Sequence, residues 1–400
     1  MKNMKNKSLI IPFVEVLSKA ISFLNILLFI RILNIEDYAD YSYLVAIVLW
    51  SSVVMDGGIN TLIYNKSLKN DTNEINTLFT SRLFLSLVVI TIVGFFFLYK
   101  SPLLAVSALI FSFVTYFSST SALVKMLSRG LGFIKVDVLS ILSEPLIRFF
   151  FLLIIYFTRF IFQYKLWHVL LIYLIAGVIA FYINKLYLNS VFSLNFYFNG
   201  IKSIYSNIVK SLKQSKYYLF YYLMLVGIGR VDVIFLESYS NKVQLALFSS
   251  ALNLYQVAQL FFISIITSQF IKLYNSKKLI IKFLVPLLIV SILFTNIASP
   301  IIYKYLFPLD YINGQFVLNI LIIAILPSII NYYYIVENNY VDRVKLNFGI
   351  LLIAFVVKIL IYLTLKPIDL LTYSYVFVFA ECAVFLMFII KKKYENITDK

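Results

Sequence analysis

Apolar residues fall in long runs along this chain, and short polar segments separate them. A helix rises 1.5 Å per residue, so about 20 apolar residues are needed to cross the hydrocarbon core of a bilayer. By that measure twelve runs qualify, near 9–33, 41–64, 78–99, 102–124, 137–158, 167–189, 216–238, 243–270, 279–303, 314–337, 344–365 and 369–391. Most gaps between them are short, which predicts antiparallel neighbours. The longest gap, near 190–215, falls midway. The expected architecture is an all-α polytopic membrane protein with a lobe over 1–190, a connection over 191–215 and a second lobe over 216–400. In the connection Ile201, Ile204, Ile208 and Leu212 recur at helical spacing among Lys202, Lys210 and Lys213. That pattern fits either a helix lying on an anionic leaflet or a plain basic linker on the cytoplasmic side.

Composition agrees with the pattern: 62% of the 400 residues are hydrophobic and only 13% are charged, about half the charged share of a soluble protein. The net charge of +17 does not mark a nucleic-acid surface, because the basic residues lie in the gaps between runs and form no stripe. Their side of the membrane is the informative property. With the N-terminus in the cytoplasm, one side carries Lys2, Lys5, Lys7, Lys66, Lys69, Lys125, Arg129, Lys135 and Lys185. The same side carries Lys202, Lys210, Lys213, Lys216, Lys272, Lys277, Lys278, Lys282, Arg343, Lys345, Lys391, Lys392, Lys393 and Lys400. The other side carries Lys100, Arg159, Lys165, Lys242, Lys304 and Lys366, an excess of about fourfold for the first. Both termini are therefore expected inside, with an even number of spans. The first apolar stretch, Leu9 to Leu33, is too long for a cleavable signal and reads as a span.

A charged residue at membrane centre costs about 2.5–3.5 kcal/mol, which cancels roughly six apolar residues. Such residues are the candidate chemistry. Glu15 and Lys19 lie one turn apart on the first span, as a packing pair or as the lining of an aqueous cavity. Asp56-Gly57-Gly58 lies in the second; there the glycines permit close helix approach, and Asp56 is a candidate for ion coupling. Glu144-Pro145 precedes Arg148 in the fifth, and Gly227-Ile228-Gly229-Arg230-Val231-Asp232 lies in the seventh. Ser249, Asn253 and Gln256 form a polar stripe on the eighth, and Lys358 stands in the eleventh with no acid on its own helix. Arg148, Arg230 and Lys358, with Lys19, Asn253 and Gln256, are expected to line a cationic cavity that binds substrate. Glu15, Asp56, Asp232 and Glu337 are the ion-coupling candidates. Pro286, Pro300 and Pro327 are expected to kink their helices. Tyr217, Tyr218, Tyr221 and Tyr222 fit either rings that stack on sugars or, as expected for most of them, interfacial anchors.

The two halves repeat weakly. Tyr38-Ala39-Asp40-Tyr41-Ser42 matches Leu245-Ala246-Leu247-Phe248-Ser249, and an offset of 210 pairs Lys135 with Lys345 and Arg148 with Lys358. Internal repeats of this kind are common in transporters. No enzyme motif accompanies them: the sequence has no HExxH, no phosphate-cradling glycine loop, and one cysteine, Cys382, within an apolar run. Neither a metal nor a cofactor is expected. A membrane-embedded polymerase should carry a large outer loop, whereas the longest here, Lys304 to Asn313, has about ten residues. An acyltransferase would need a better-placed histidine than His168, and a multidrug exporter would favour acidic rather than basic buried groups.

Several segments together carry a family resemblance: Phe23-Leu24-Asn25 through Arg31-Ile32-Leu33, Tyr38-Ala39-Asp40-Tyr41-Ser42, Asp56-Gly57-Gly58, Arg129-Gly130 through Lys135, and Arg230-Val231-Asp232. Over nearly its whole length the chain resembles Wzx-type O-antigen and capsular polysaccharide flippases of the multidrug/oligosaccharidyl-lipid/polysaccharide exporter superfamily. The resemblance implies a V-shaped pair of six-helix lobes in the bacterial inner membrane. It implies alternating access, ion-coupled in some relatives, that carries an undecaprenyl-pyrophosphate-linked oligosaccharide to the outer leaflet for surface polysaccharide or lipopolysaccharide assembly. A polysaccharide polymerase and a chain-length regulator are the protein partners it implies, beside membrane lipid.

Overall fold

The apolar runs form helices in a computed structural model of the chain, which describes residues 2–67, 72–131, 133–189, 201–276, 280–341, 343–366 and 369–398. The helices are α1 (Lys2–Ile32), α2 (Ile35–Asp56), α3 (Ile59–Ser67), α4 (Thr72–Leu98), α5 (Pro102–Gly130), α6 (Ile134–Thr158) and α7 (Leu166–Asn189). The chain continues with α8 (Ile201–Tyr239), α9 (Lys242–Asn275), α10 (Val285–Leu306), α11 (Gly314–Leu321), α12 (Ile325–Tyr340), α13 (Val344–Leu365) and α14 (Leu370–Thr398). Twelve segments among the described residues are long and apolar enough to cross a membrane, so this is a multi-pass membrane protein. The part of the expected connection at 191–200 lies outside the described residues, as do Lys69, Lys277, Lys278 and Lys400.

Three boundaries differ from the hydropathy reading, each for a local reason. The second span begins at Ile35, because the Asn34 side chain accepts from the Asp37 backbone N–H at 2.7 Å and starts the helix before the apolar run. It ends at Asp56, because Gly57 and Gly58 take φ of +58° and +71°, a left-handed conformation that terminates a helix. The glycines therefore end the span instead of lying inside it. The basic amphipathic stretch after Ile201 is continuous with the seventh span, forming one helix of 39 residues. Its Ser211 and Ser215 are buried while Lys210, Lys213 and Lys216 are exposed. The tenth span is built from α11, a 3₁₀ turn at Ile322–Ala324 and α12, whose third residue is Pro327. A proline cannot donate to the preceding turn, which accounts for the break at that point. Pro286 sits at the start of α10, after a π-helical turn at Ile280–Leu284.

The chain forms two compact units. Unit 1 comprises Met1–Leu33 and Leu44–Leu223, and unit 2 comprises Asn34–Tyr43 and Met224–Lys400. In unit 1, α5 packs against α4, α6 and α7, and α1 lies along α6. The short α3 closes one end, where Ile59, Ile63, Ile75, Phe79, Leu123 and Leu127 form an apolar cluster. In unit 2, α9 and α14 pack around the α11–α12 span, and α13 lies against α12 and α14. Aromatic and aliphatic side chains such as Phe294 and Ile297 stay exposed on α10; lipid accepts that surface as water would not.

Candidate functional site

In unit 1 the polar groups converge on α5 from the helices around it. Ser118-Ser119-Thr120-Ser121 supplies four successive hydroxyls, whose partners lie on three neighbouring helices, α4, α6 and α7. Arg82 of α4 is 1% exposed and donates to Thr120 at 3.1 Å and Ser119 at 2.5 Å. Its Nε stands 3.4 Å from Asp56, which ends α2. Arg148 of α6 pairs with Glu144 one turn earlier and donates to the Ser118 hydroxyl at 2.9 Å. Ser118 in turn donates to Glu144, and the guanidinium lies 4.7 Å from the Tyr173 ring centre. Ser121 accepts from Asn184 of α7 at 3.5 Å, whose side-chain carbonyl takes the Ser143 hydroxyl. Glu15 of α1 is bound at 3.1 Å by Lys125 of α5, with the partly buried Lys19 in reach of both charges. Arg148 thus meets α5 directly and Asp56 is linked to it through Arg82, while Glu15 and Lys19 cluster with its Lys125.

In unit 2 the centre is α8. Gly227 allows its backbone to meet α13 closely: a Cβ there would stand 2.8 Å from the Phe355 ring. That approach brings Lys358 of α13 onto α8, where Nζ donates to the Ile228 carbonyl at 2.6 Å and Asp232 at 2.7 Å. Both charged side chains are sealed from solvent. Tyr362 donates to the second oxygen of Asp232, and the ammonium lies 4.8 Å from the Phe377 ring centre. Lys358, which lacks an acid on its own helix, is therefore neutralised from α8. It is the fifteenth residue of α13, as Arg148 is of α6, yet Arg148 finds its acid on its own helix.

Two residues from Lys358's partner, Arg230 has a different environment. Its guanidinium donates to Gln256 of α9 at 2.7 Å, and its charged or titratable neighbours are Tyr38 and Tyr41 of α2. Among the described residues it has no carboxylate partner. Asn253, one turn before Gln256, donates to the Tyr38 hydroxyl at 2.8 Å. The ring of Tyr38 packs edge-on against Tyr311 at 5.8 Å. Tyr311 lies between spans, where burial first and the adjacent Asp310 second push its phenol up, keeping it protonated. Asp40 anchors the same end through Lys242 at 2.9 Å. Arg230, Asn253 and Gln256 are thus brought together, and Asp232 and Lys358 are joined nearby on α8. Glu337 is apart from them, accepting from Lys392 at 3.2 Å where α12 ends.

Two residues of this chemistry do not emerge from the sequence reading. Arg82 is not among the sequence candidates, although the hydroxyl run on α5 is a sequence signal for a buried polar partner. Glu381 lies midway along α14, holds the Asn331 amide at 3.1 Å, and has Lys358 and Asp232 among its electrostatic neighbours. A single acid in Phe377-Val378-Phe379-Ala380-Glu381-Cys382 is a signal as plain as that of Lys358.

Solved structures share this fold. The chain is similar to an inward-facing multidrug resistance MATE family transporter of the MOP superfamily, with a TM-score of 0.64, 12% identity, and 95% of this chain and 94% of that one covered. An outward-facing transporter of the same description gives 0.63 at 12% identity, covering 99% and 97%. The lipid II flippase MurJ in an inward closed conformation gives 0.62 at 14% identity, covering 98% and 88%. No curated protein matches the sequence. A family model described as polysaccharide biosynthesis protein matches residues 4–271. That match takes in all of unit 1 but its first three residues, together with α8 and the Arg230–Gln256 contact, and this chain belongs to the polysaccharide biosynthesis protein family.

Proposed function

We propose that this protein is a Wzx-type flippase, which moves an undecaprenyl-pyrophosphate-linked oligosaccharide from the inner to the outer leaflet of the bacterial cytoplasmic membrane. The observation that carries the reading is Arg230. Three other cations at membrane depth are each held by an acid: Arg82 by Asp56, Arg148 by Glu144 and Lys358 by Asp232. Arg230 is held by a neutral amide and lies beside two phenols. A guanidinium without a counter-ion at that depth is costly unless an anionic ligand supplies one. Pyrophosphate matches it, because a guanidinium offers a planar pair of donors to phosphate oxygens. Gln256 and Asn253 add neutral donors beside it, and the prenyl chain can remain in the bilayer.

The cycle needs an energy source, and the paired carboxylates support ion coupling. Asp56, Glu15, Asp232 and Glu337 each hold a cation that a proton on the acid would release, and Glu381 holds only amide and hydroxyl partners together with long-range charge. Lys19 and Arg148 in unit 1 are the further substrate-side cations of this reading, Arg148 through rearrangement of its Glu144 pair.

The test is to delete the gene in its host, complement with wild type or Arg230→Ala, and quantify lipid-linked sugars in each leaflet. Complete repeat units accumulating on the inner leaflet in the deletion strain, and in the Arg230→Ala strain at wild-type protein level, support the reading. Single units accumulating on the outer leaflet point to a polymerase and overturn it, and unchanged pools overturn polysaccharide export altogether.

A further inference from the structure

One end of unit 2 carries an aromatic cluster outside the chemistry described above. On α9, Phe270 and Tyr274 stand one turn apart in the last turns of the helix, which ends at Asn275. On α12, Tyr333, Glu337 and Tyr340 share a face by their spacing of four and three. The two faces meet. Phe270 lies 5.6 Å from Tyr340 and 6.2 Å from Tyr333 between ring centres, and Tyr274 lies 5.2 Å from Tyr340. Tyr340 is 61% exposed, while Tyr333 is 2% exposed at the back of the cluster. Its hydroxyl is buried and has no hydrogen-bond partner among the described residues, although the Glu337 carboxylate is within electrostatic reach.

We infer that Phe270, Tyr274 and Tyr340, packed on the Tyr333 ring and flanked by the Glu337 carboxylate, form a docking surface for a sugar ring of the cargo. The chemistry is that of carbohydrate recognition. A pyranose presents an apolar C–H face, which packs on an aromatic ring, and a rim of hydroxyls, which needs fixed acceptors and donors. Here the Phe270, Tyr274 and Tyr340 rings provide the flat face, and the Glu337 carboxylate, which Lys392 holds at 3.2 Å, provides the rim contact. Aromatic side chains also anchor helix ends at membrane interfaces; these rings pack on one another and leave the Tyr340 ring open. The basic residues Arg343 and Lys345, exposed just after α12, and Lys391 to Lys393 in the last turns of α14, place this end on the cytoplasmic side by the positive-inside rule. That is the side on which a lipid-linked sugar would be loaded.

This inference rests on the flippase reading, and its test separates the two. The full chain in nanodiscs would be titrated with undecaprenyl pyrophosphate and with the same lipid bearing the host's own repeat unit, extracted from the deletion strain. Wild type is expected to bind the glycosylated lipid more tightly. Tyr274→Ala/Tyr340→Ala is expected to lose about tenfold in affinity for the glycosylated lipid only, the size expected for losing two ring contacts. Tyr274→Phe/Tyr340→Phe, which keeps the rings, is expected to bind as wild type. Should the double alanine variant fail to fold, Tyr340→Ala alone removes the most exposed ring and carries the same expectation at a few-fold. A full sugar-dependent gain in the alanine variants overturns the inference. Equal affinity of wild type for the two lipids also overturns it and leaves the pyrophosphate reading standing, whereas binding of neither lipid removes the flippase reading and this inference with it.

Discussion

Lys358 and Asp232 show how a charge can lie at membrane depth without facing water. Desolvating the two ions offsets most of their attraction, so the pair as a whole contributes little net stability, while an orphaned member is strongly destabilising. Asp232→Asn is expected to cost about 3–5 kcal/mol, because the Lys358 ammonium would be left buried on a carbonyl and a ring. Asp232→Asn/Lys358→Met is expected to recover most of that loss. Unfolding midpoints of the two single variants and the double variant in one detergent would measure this coupling, and additive losses would mean that the contact is not the source of stability. The same residues mark what can be learned from sequence. That Lys358 is buried and needs a distant acid follows from its place in an apolar run. That the acid is Asp232 does not, because the partners lie 126 positions apart and meet only where Gly227 lets α8 and α13 approach. Arg82 escapes a sequence reading for the opposite reason: it lies near a span end, where a basic residue is ordinary, and only its hydroxyl partners on α5 reveal that it is buried.

At the level of the helix, hydropathy is enough for the number of spans and most of their limits, since the twelve apolar runs correspond to the twelve candidate spans among the described residues. It misplaces the second, because hydropathy is blind to backbone conformation. Ile59 to Tyr64 is apolar enough to continue α2, yet two left-handed glycines turn the chain into the separate α3. The turn is locked by α8: Ser215 donates to the Gly57 carbonyl at 2.5 Å, and a Cβ on Gly58 would stand 2.9 Å from the Ser215 Cβ. An L-residue in that conformation costs about 1–2 kcal/mol before any clash. Gly58→Ala is therefore expected to destabilise the protein by about 2 kcal/mol or more, because Ser215 is buried and cannot retreat. A Gly58→Ala variant that melts with wild type would show that α8 does not lock the turn. The α8 boundary has a similar lesson. A basic amphipathic stretch and an apolar span look like two elements in sequence, but nothing between Ile201 and Tyr239 breaks a helix until its end, and the glycines at 227 and 229 are accommodated inside it.

For the molecule as a whole, the charge distribution makes a prediction that the fold alone cannot, since helices crossing a membrane satisfy their backbones equally well in either orientation. The side is decided by the Lys and Arg of the short loops, which are retained where the protein is inserted. From the excess of about fourfold on one side, both ends of the chain are expected in the cytoplasm. Orientation also decides the direction of transport, because the sugar-docking surface at Tyr274 and Tyr340 serves loading only if it faces the cytoplasm. A single native thiol makes the test clean: Cys382 lies within α14, and Cys382→Ser gives a background without cysteine. In that background Ile161→Cys and Leu309→Cys, both at exposed positions between spans, are expected to react with a membrane-impermeant maleimide added to intact spheroplasts. Gln214→Cys and Asn275→Cys, also at exposed positions, are expected to react only after the membrane is opened. The reverse pattern would invert the topology and turn the aromatic surface outward, so that it could serve release but not capture. Labelling of both pairs from outside would mean that the basic loops do not fix the orientation.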